Sequence, residues 1–346
     1  MSRTRTPSPV AWLALLGALV LTACAPTSSA SPDPTDPTGG PSVDPSRSAA
    51  ANACDPIGGA SPSSYPGWPG SGVEPQPTTE LVPLLVSSEL SVGRNRFLFS
   101  LIDGQNRLVA APDVEVDVRF FDLASDPATA VTELTASYLE AEEDRGLYRA
   151  AVDFSCSGSW GAELTARIPG REQRQARVIF SVRPESSTPA IGAAVPASDT
   201  PTADSADAIA AISTDIEPDP DLYRFSVAEA LDRQEPFALI FSTPAFCQTR
   251  ACGPTLEIVR EVAADFKDDL AFIHVEPYQL EVTDSGLQPL LSEGGGLQPV
   301  GSVVEWGLLS EPYIFVVRAD GTLAAKFEGV AGADELREAF EAVADD

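Results

Sequence analysis

Two stretches of this 346-residue chain, 25 to about 80 and about 185 to 221, are dominated by Pro, Ser, Thr, Ala, Gly and Asp. With so few large apolar side chains, neither can bury enough surface to offset the entropy of ordering its backbone. They therefore fix where cores can lie: between them, in 81–184, and after them, in 222–346. The first reads as a flexible tether and the second as a linker between two domains.

The region 81–184 has the grammar of half-buried strands. In "VEVDVRF", Val114, Val116, Val118 and Phe120 alternate with Glu115, Asp117 and Arg119, which is period two. Similar runs surround Phe97 and Phe99, Tyr148 to Phe154, Trp160 to Ile168, and Val178, Phe180 and Val182. Strands at this spacing without helices predict a β-sandwich of immunoglobulin type. The stretch "FSCSGSWGAELTAR" resembles the late strands of small bacterial immunoglobulin-like domains, some of which bind copper. Such binding needs histidine or methionine, and the segment has neither, so the expected role is interaction or spacing.

From residue 222 the grammar changes to alternating helix and strand. "SVAEALDRQ" opens with Ser226 followed by Glu229, a capping-box pair. "FALIF" (237–241) is continuously apolar, as a strand buried on both faces must be. Leu256, Val259, Val262, Ala263 and Phe266 share one helical face. "LAFIHV", "YIFVV" and "TLAAKFEG" predict three further strands, the last two joined by a turn at Asp320-Gly321. Leu336, Phe340 and Val343 line a closing helix. The order βαβ then ββα predicts a three-layer α/β domain.

The N-terminus reads as an address. Arg3 and Arg5 precede an apolar run from Val10 to Leu21, too short to span a bilayer and of signal-peptide length. The following "LTAC" resembles the bacterial lipobox, which implies cleavage of 1–24 and lipidation of Cys24. The mature chain is then expected outside the cytoplasm, anchored by lipid to the cell membrane. Acidic residues number 51 against 22 Lys and Arg, for a formal charge of −29. Such a chain is repelled by phosphate backbones, so nucleic acid is not an expected partner. In an oxidising compartment the two thiols outside the α/β region, Cys54 and Cys156, are predicted to be bridged, the alternative being free or intermolecular thiols.

That leaves Cys247 and Cys252 in "FSTPAFCQTRACGPTLEIV". "ALIFSTPAFC" and "WGLLSEPYIFVVRADGTL" together resemble a thioredoxin-like domain over 222–346. The resemblance places Cys247 at the first active-site cysteine and implies a cis peptide at Glu311-Pro312 facing the pair. It implies thiol-disulfide exchange with a client protein or redox partner through a mixed disulfide, with no cofactor and no metal. Cys247 is the expected attacking thiol and Cys252 the resolving one. A helix N-terminus and the neighbouring Arg250 both favour a thiolate there.

The chain departs from the family pattern at several points. Four residues, not two, separate the cysteines. On a continuous helix, positions five apart differ by about 7.5 Å in height and point to different sides, so a bridge could not close. Pro254 lets the helix begin beyond Cys252, leaving "CQTRAC" as a loop. "CGPT" also permits Cys252 to be the first cysteine, with Thr255 in place of the second. Phe241 stands where the family has a buried aspartate for proton transfer. The chain's single histidine, His274, is then either an acid and base beneath the cysteines or a hydrogen-bonded strand residue. The segment from Pro277 to Val300, with three consecutive glycines from Gly294, is an insertion, either a mobile loop near the site or a surface excursion.

Two other resemblances compete. "TPAFCQTRACG" is similar to the cysteine region of bacterioferritin-comigratory-type peroxiredoxins, but Thr243 is one residue too far from Cys247 and Glu311 stands where an activating arginine is expected. A Sco-type copper chaperone would use Cys247, Cys252 and His274 as ligands. A structural disulfide in a binding protein is the remaining alternative.

Overall fold

The structure, a computed structural model, describes residues 53–54, 65–69, 81–142, 145–247, 250–284 and 286–344. It is a multidomain, β-rich protein. Cys24 and the expected signal peptide lie outside the described residues. Among the described residues no helix is long and apolar enough to cross a membrane.

The first folded region holds seven antiparallel strands: β1 (Leu81–Leu85), β2 (Gly93–Asp103), β3 (Glu115–Asp122), β4 (Thr132–Glu142), β5 (Arg145–Phe154), β6 (Gly158–Arg167) and β7 (Arg174–Val182). Their order is β1-β2-β5-β4-β3-β6-β7. Two separate sheets are expected of an immunoglobulin-type sandwich; here one sheet curls until its end strands β1 and β7 touch. The cause is β4, which pairs with β3 from Thr132 to Ala136 and with β5 from Ser137 onward, carrying the ladder around the corner. Alternation turns Phe97, Phe120, Phe154 and Phe180 inward, where their rings meet edge-on or tilted at 5.1–6.4 Å. The expected Cys54–Cys156 disulfide is present, with Cα atoms 5.0 Å apart. The tether expectation fails for 65–69. Trp68 is buried against Phe121 and donates its indole N–H to the Pro127 carbonyl at 2.9 Å. Gly161 makes room for it, since a Cβ there would lie 2.4 Å from the indole ring.

The second region is built on a four-stranded sheet of order β13-β12-β8-β9, with β8 (Phe237–Phe241), β9 (Ala271–Val275), β12 (Tyr313–Val317) and β13 (Leu323–Glu328). β8 and β9 run parallel and the other pairs are antiparallel. β8, β9 and β12 are buried at every position, as their unbroken apolar runs require. α3 (Cys252–Ala263) and α5 (Ala333–Ala344) cover one face. The other is covered by α2 (Val227–Asp232), which follows α1 (Ala206–Ile209), and by Trp306 at the end of α4 (Gly301–Glu305). The capping box is present, with Ser226 accepting from the Glu229 N–H and the Glu229 carboxylate from the Ser226 N–H. The segment from Pro277 to Val300 carries the hairpin of β10 (Leu280–Thr283) and β11 (Gly286–Pro289).

The 185–221 segment is not a free linker. It bridges onto β13 at Ala194 and Thr322, and it delivers Ile209 and, with the 3-10 turn Pro220–Tyr223, Leu222 and Tyr223 into the core beneath α3. Composition alone suggested too little apolar surface, but three large side chains suffice when the partner surface is already formed. Its start crosses Gly307, where φ is 65° and a Cβ would lie 2.0 Å from the Ser187 carbonyl oxygen, so no side chain fits.

The two regions are clamped by Glu335 of α5, whose carboxylate meets Arg96 at 2.7 Å and Arg149 at 2.6 Å. Burial alone would raise Glu335; the bonds and charge of Arg96, with the Gly332 N–H and Arg149, outweigh it and hold the carboxyl below its usual range.

Candidate functional site

β8 ends at Phe241, and the chain passes through Ser242, Thr243 and Pro244 to Cys247 before returning as α3. The return depends on Arg250, held at φ 64°, the left-handed region. The reversal brings Cys247 and Cys252 to a Cα separation of 6.0 Å, with the sulfurs bonded. A loop was expected to allow this closure, and it does, although the helix begins at Cys252 itself rather than after it. Ala251 caps the helix with no side-chain hydrogen bond. Instead the Cys252 backbone N–H points at Cys247 Sγ, 3.3 Å away. One otherwise orphaned donor of the first turn is thereby directed at sulfur.

The sulfurs differ in access. Cys252 is 0% exposed, while Cys247 is half-buried. An incoming sulfur meets Cys247 first. Arg250 is exposed and makes no hydrogen bond or ion pair among the described residues, so no direct contact with the sulfurs supports its expected role.

The Glu311-Pro312 peptide is cis. β12 pairs antiparallel with β8, Tyr313 opposite Phe241, so the next rung sets Pro312 level with Ser242 at the root of the cysteine loop. Glu311 is held by the Tyr278 hydroxyl at 2.7 Å.

His274 takes the hydrogen-bonded strand alternative. Its Nδ1 lies 2.9 Å from the Tyr223 hydroxyl, and its Nε2 lies 2.9 Å from Ser242 Oγ and 3.0 Å from the Ser242 carbonyl. Burial pushes its pKa down to about 4, so the ring is neutral at pH 7. Both nitrogens are engaged, which also removes it as a copper ligand alongside the cysteines. Among the described residues, three potential ligand atoms come together only at Cys54, Asp122 and Cys156, where two are already consumed by the disulfide.

The titratable group that does lie under the cysteine loop is Glu276, which the sequence reading missed. Two residues beyond His274, it projects to the same side of the sheet. Its Oε1 accepts from the Thr214 N–H at 2.7 Å and hydroxyl at 2.6 Å. The same hydroxyl accepts from the Ala245 N–H at 3.1 Å, two residues before Cys247. Burial raises the Glu276 pKa, opposed by its bonds to Thr214 and to the Thr243 side chain. The hydroxyl of Thr255 is buried with no hydrogen-bond partner among the described residues. An unsatisfied polar atom therefore sits within three residues of Cys252. A carboxylate closing the apolar run "LAFIHVEP" was the available signal, because glutamate is seldom buried without a reason.

No family model matches the chain, and no curated protein matches it. Among solved structures, the soluble domain of PmoD from Methylocystis sp. ATCC 49242 (Rockwell) aligns at 15% identity over 30% of this chain and 88% of that one, with a TM-score of 0.19. MtrC from Shewanella baltica OS185 aligns at 11% identity over 33% and 24%, with a TM-score of 0.22. Scores of this size establish neither a shared fold nor a shared activity.

Proposed function

We propose that the protein is an extracytoplasmic, lipid-anchored thiol-disulfide oxidoreductase, with a thioredoxin-like C-terminal domain and an immunoglobulin-like domain between it and the anchor. The observation that carries the reading is the asymmetric pair: a half-buried Cys247 joined to a fully buried Cys252 at the first turn of a helix.

In the oxidised state a client thiolate attacks Cys247 Sγ. The Cys247–Cys252 bond breaks, its electron pair leaves with Cys252 Sγ, and a mixed disulfide joins the client to Cys247. A second client thiolate then attacks the client sulfur and releases Cys247 as a thiolate. Two electrons pass from the client dithiol to the pair, and the client gains a disulfide. The reverse sequence reduces a client disulfide.

Cys252 leaves into a site closed to solvent, where an anion is costly. Glu276, whose pKa burial raises, is the proton donor in this account, with the Thr243 side chain as its neighbour. The Glu276→Gln variant should release Cys252 at least about tenfold more slowly and lose the carboxyl's limb from the pH profile. An unchanged profile would assign Glu276 to structure alone.

The exchange reading is tested on single-cysteine variants. Reduced Cys252→Ser protein mixed with glutathione disulfide should form a glutathione adduct on Cys247, visible by intact mass, and Cys247→Ser should form little. No adduct, or equal adduct on both, would leave the pair as a staple.

A further inference from the structure

The redox loop does not stand alone. A cavity of about 360 Å³ lies beside it, walled on one side by Leu84, Val86 and Leu108 of the first region and on the other by Ala251, Glu311 and Glu328 of the second. Ala251 immediately precedes Cys252, and Glu311 precedes the cis proline. The volume is at the small end of ligand-sized pockets.

Its apolar wall is laid out by strand geometry. Leu84 and Val86 are alternate residues in and just beyond β1, so they share one side, and they are 42% and 39% exposed. Leu108 adds a third exposed apolar side chain at 44% exposure. Exposed apolar residues one at a time are ordinary; a row of them converging on a cavity marks an interaction surface.

The charge in the cavity has a single sign. Glu311 and Glu328 line it, and no lysine or arginine does. Glu328 is fixed in place, accepting from the Ser88 N–H at 3.0 and 3.1 Å and from the Ser310 hydroxyl at 2.8 Å. A second cavity of about 480 Å³, lined by Tyr278, Leu297 and Val304 among others, shares Ser310 and Glu311 with the first. An extended segment can therefore cross the cis-proline loop from one cavity to the other. The wall is also preformed, because Arg96 donates to the Glu328 and Val330 carbonyls at 2.9 and 2.5 Å and to Glu335.

We infer that the first region supplies half of the client site: an extended client segment, apolar and carrying an arginine or lysine near its cysteine, docks between the β1 row and the Glu311–Glu328 carboxylates, beside the disulfide. The inference names the substrate class of the exchange reaction proposed above and rests on that reading. Docking needs no electron transfer, so the two are separable by experiment.

The probe is a fluorescent, leucine-rich peptide with one arginine and a serine in place of cysteine, titrated by anisotropy against the chain without its signal peptide. A twin carrying glutamate for arginine serves as comparison. The arginine peptide should bind about tenfold or more tightly than its twin, and Leu84→Asp should weaken it by a similar factor. Val131→Asp, at an exposed position not among those lining the cavity, is the matched control, and thermal unfolding of both variants checks folding. No binding, equal binding of the two peptides, or equal loss in both variants would overturn the inference. Failure of the wild type to exchange with glutathione disulfide, with peptide discrimination intact, would remove the exchange reading and leave the docking site.

Discussion

The two disulfides are the same bond in opposite settings. Cys54–Cys156 closes a separation of 102 residues, and Cys54 is buried in the rim of an aromatic core, its N–H donating to the Ser157 carbonyl at 2.9 Å. Cys247–Cys252 closes a separation of 5, with one sulfur half-exposed and aimed at by a helix N–H. Loop closure makes the first a staple, since the entropy removed from the unfolded chain grows with the span. The second gains little of that kind. What distinguishes it is access from one side and a helix terminus on the other.

The largest effect that could break this contrast is on stability. Replacing Cys54 and Cys156 by serine should destabilise the first region by about 4–5 kcal/mol, whereas replacing Cys247 and Cys252 should cost only about 2 kcal/mol, on loop-closure grounds. Denaturant unfolding followed on each double variant measures both, and equal costs would erase the distinction.

Acid should strike the second region and its clamp. The folded-state pKa of His274 lies near 4, below its ordinary 6.5. Unfolded chains bind a proton below 6.5 that the folded chain refuses, so stability is full above that pH and falls towards pH 4, by up to about 3 kcal/mol. Glu335 has a lowered pKa, so its contribution is present above the ordinary carboxyl value and is lost as pH falls through the folded one. Glu276, with a raised pKa, works the other way, its contribution growing as pH falls. Unfolding of the Glu276→Gln variant from pH 7 to 4 should therefore decline through His274, with the loss from Glu335 following below the ordinary carboxyl range, and a flat profile in that variant would contradict the His274 assignment.

A smaller effect separates the clamp from the site. Glu335→Gln leaves Arg96 and Arg149 without their shared carboxylate and should cost about 2 kcal/mol, reduced from the fully buried case because Arg149 is partly exposed. The sensitivity of the protein to acid should weaken in this variant, and the glutathione adduct on Cys247 should still form.

Residues whose neighbours are dictated by period were legible in the sequence. β3, β8, β9 and β12 have unbroken or alternating apolar runs, and the Ser226–Glu229 box announces α2. β4 was not seen, because its alternation of Leu134, Ala136 and Tyr138 is written in alanine and glutamate, which favour helix when tertiary pairing is absent. Tyr223 and Ile209 were hidden by the composition around them, and their burial needs a sheet supplied by residues far along the chain. The cysteine pair could be located, but its chemistry could not: His274 was the titratable residue in view, and Glu276 becomes relevant only once Thr214 and Ala245 are brought to it.

The central claim concerns one thiol. Alkylation rate against pH on reduced Cys252→Ser protein reports the ionisation of Cys247 directly. The helix terminus and the Cys252-position N–H predict a midpoint at least about one unit below the 8.5 of free cysteine. A midpoint at or above that value would mean the loop confers no thiolate character, and the pair would be a staple.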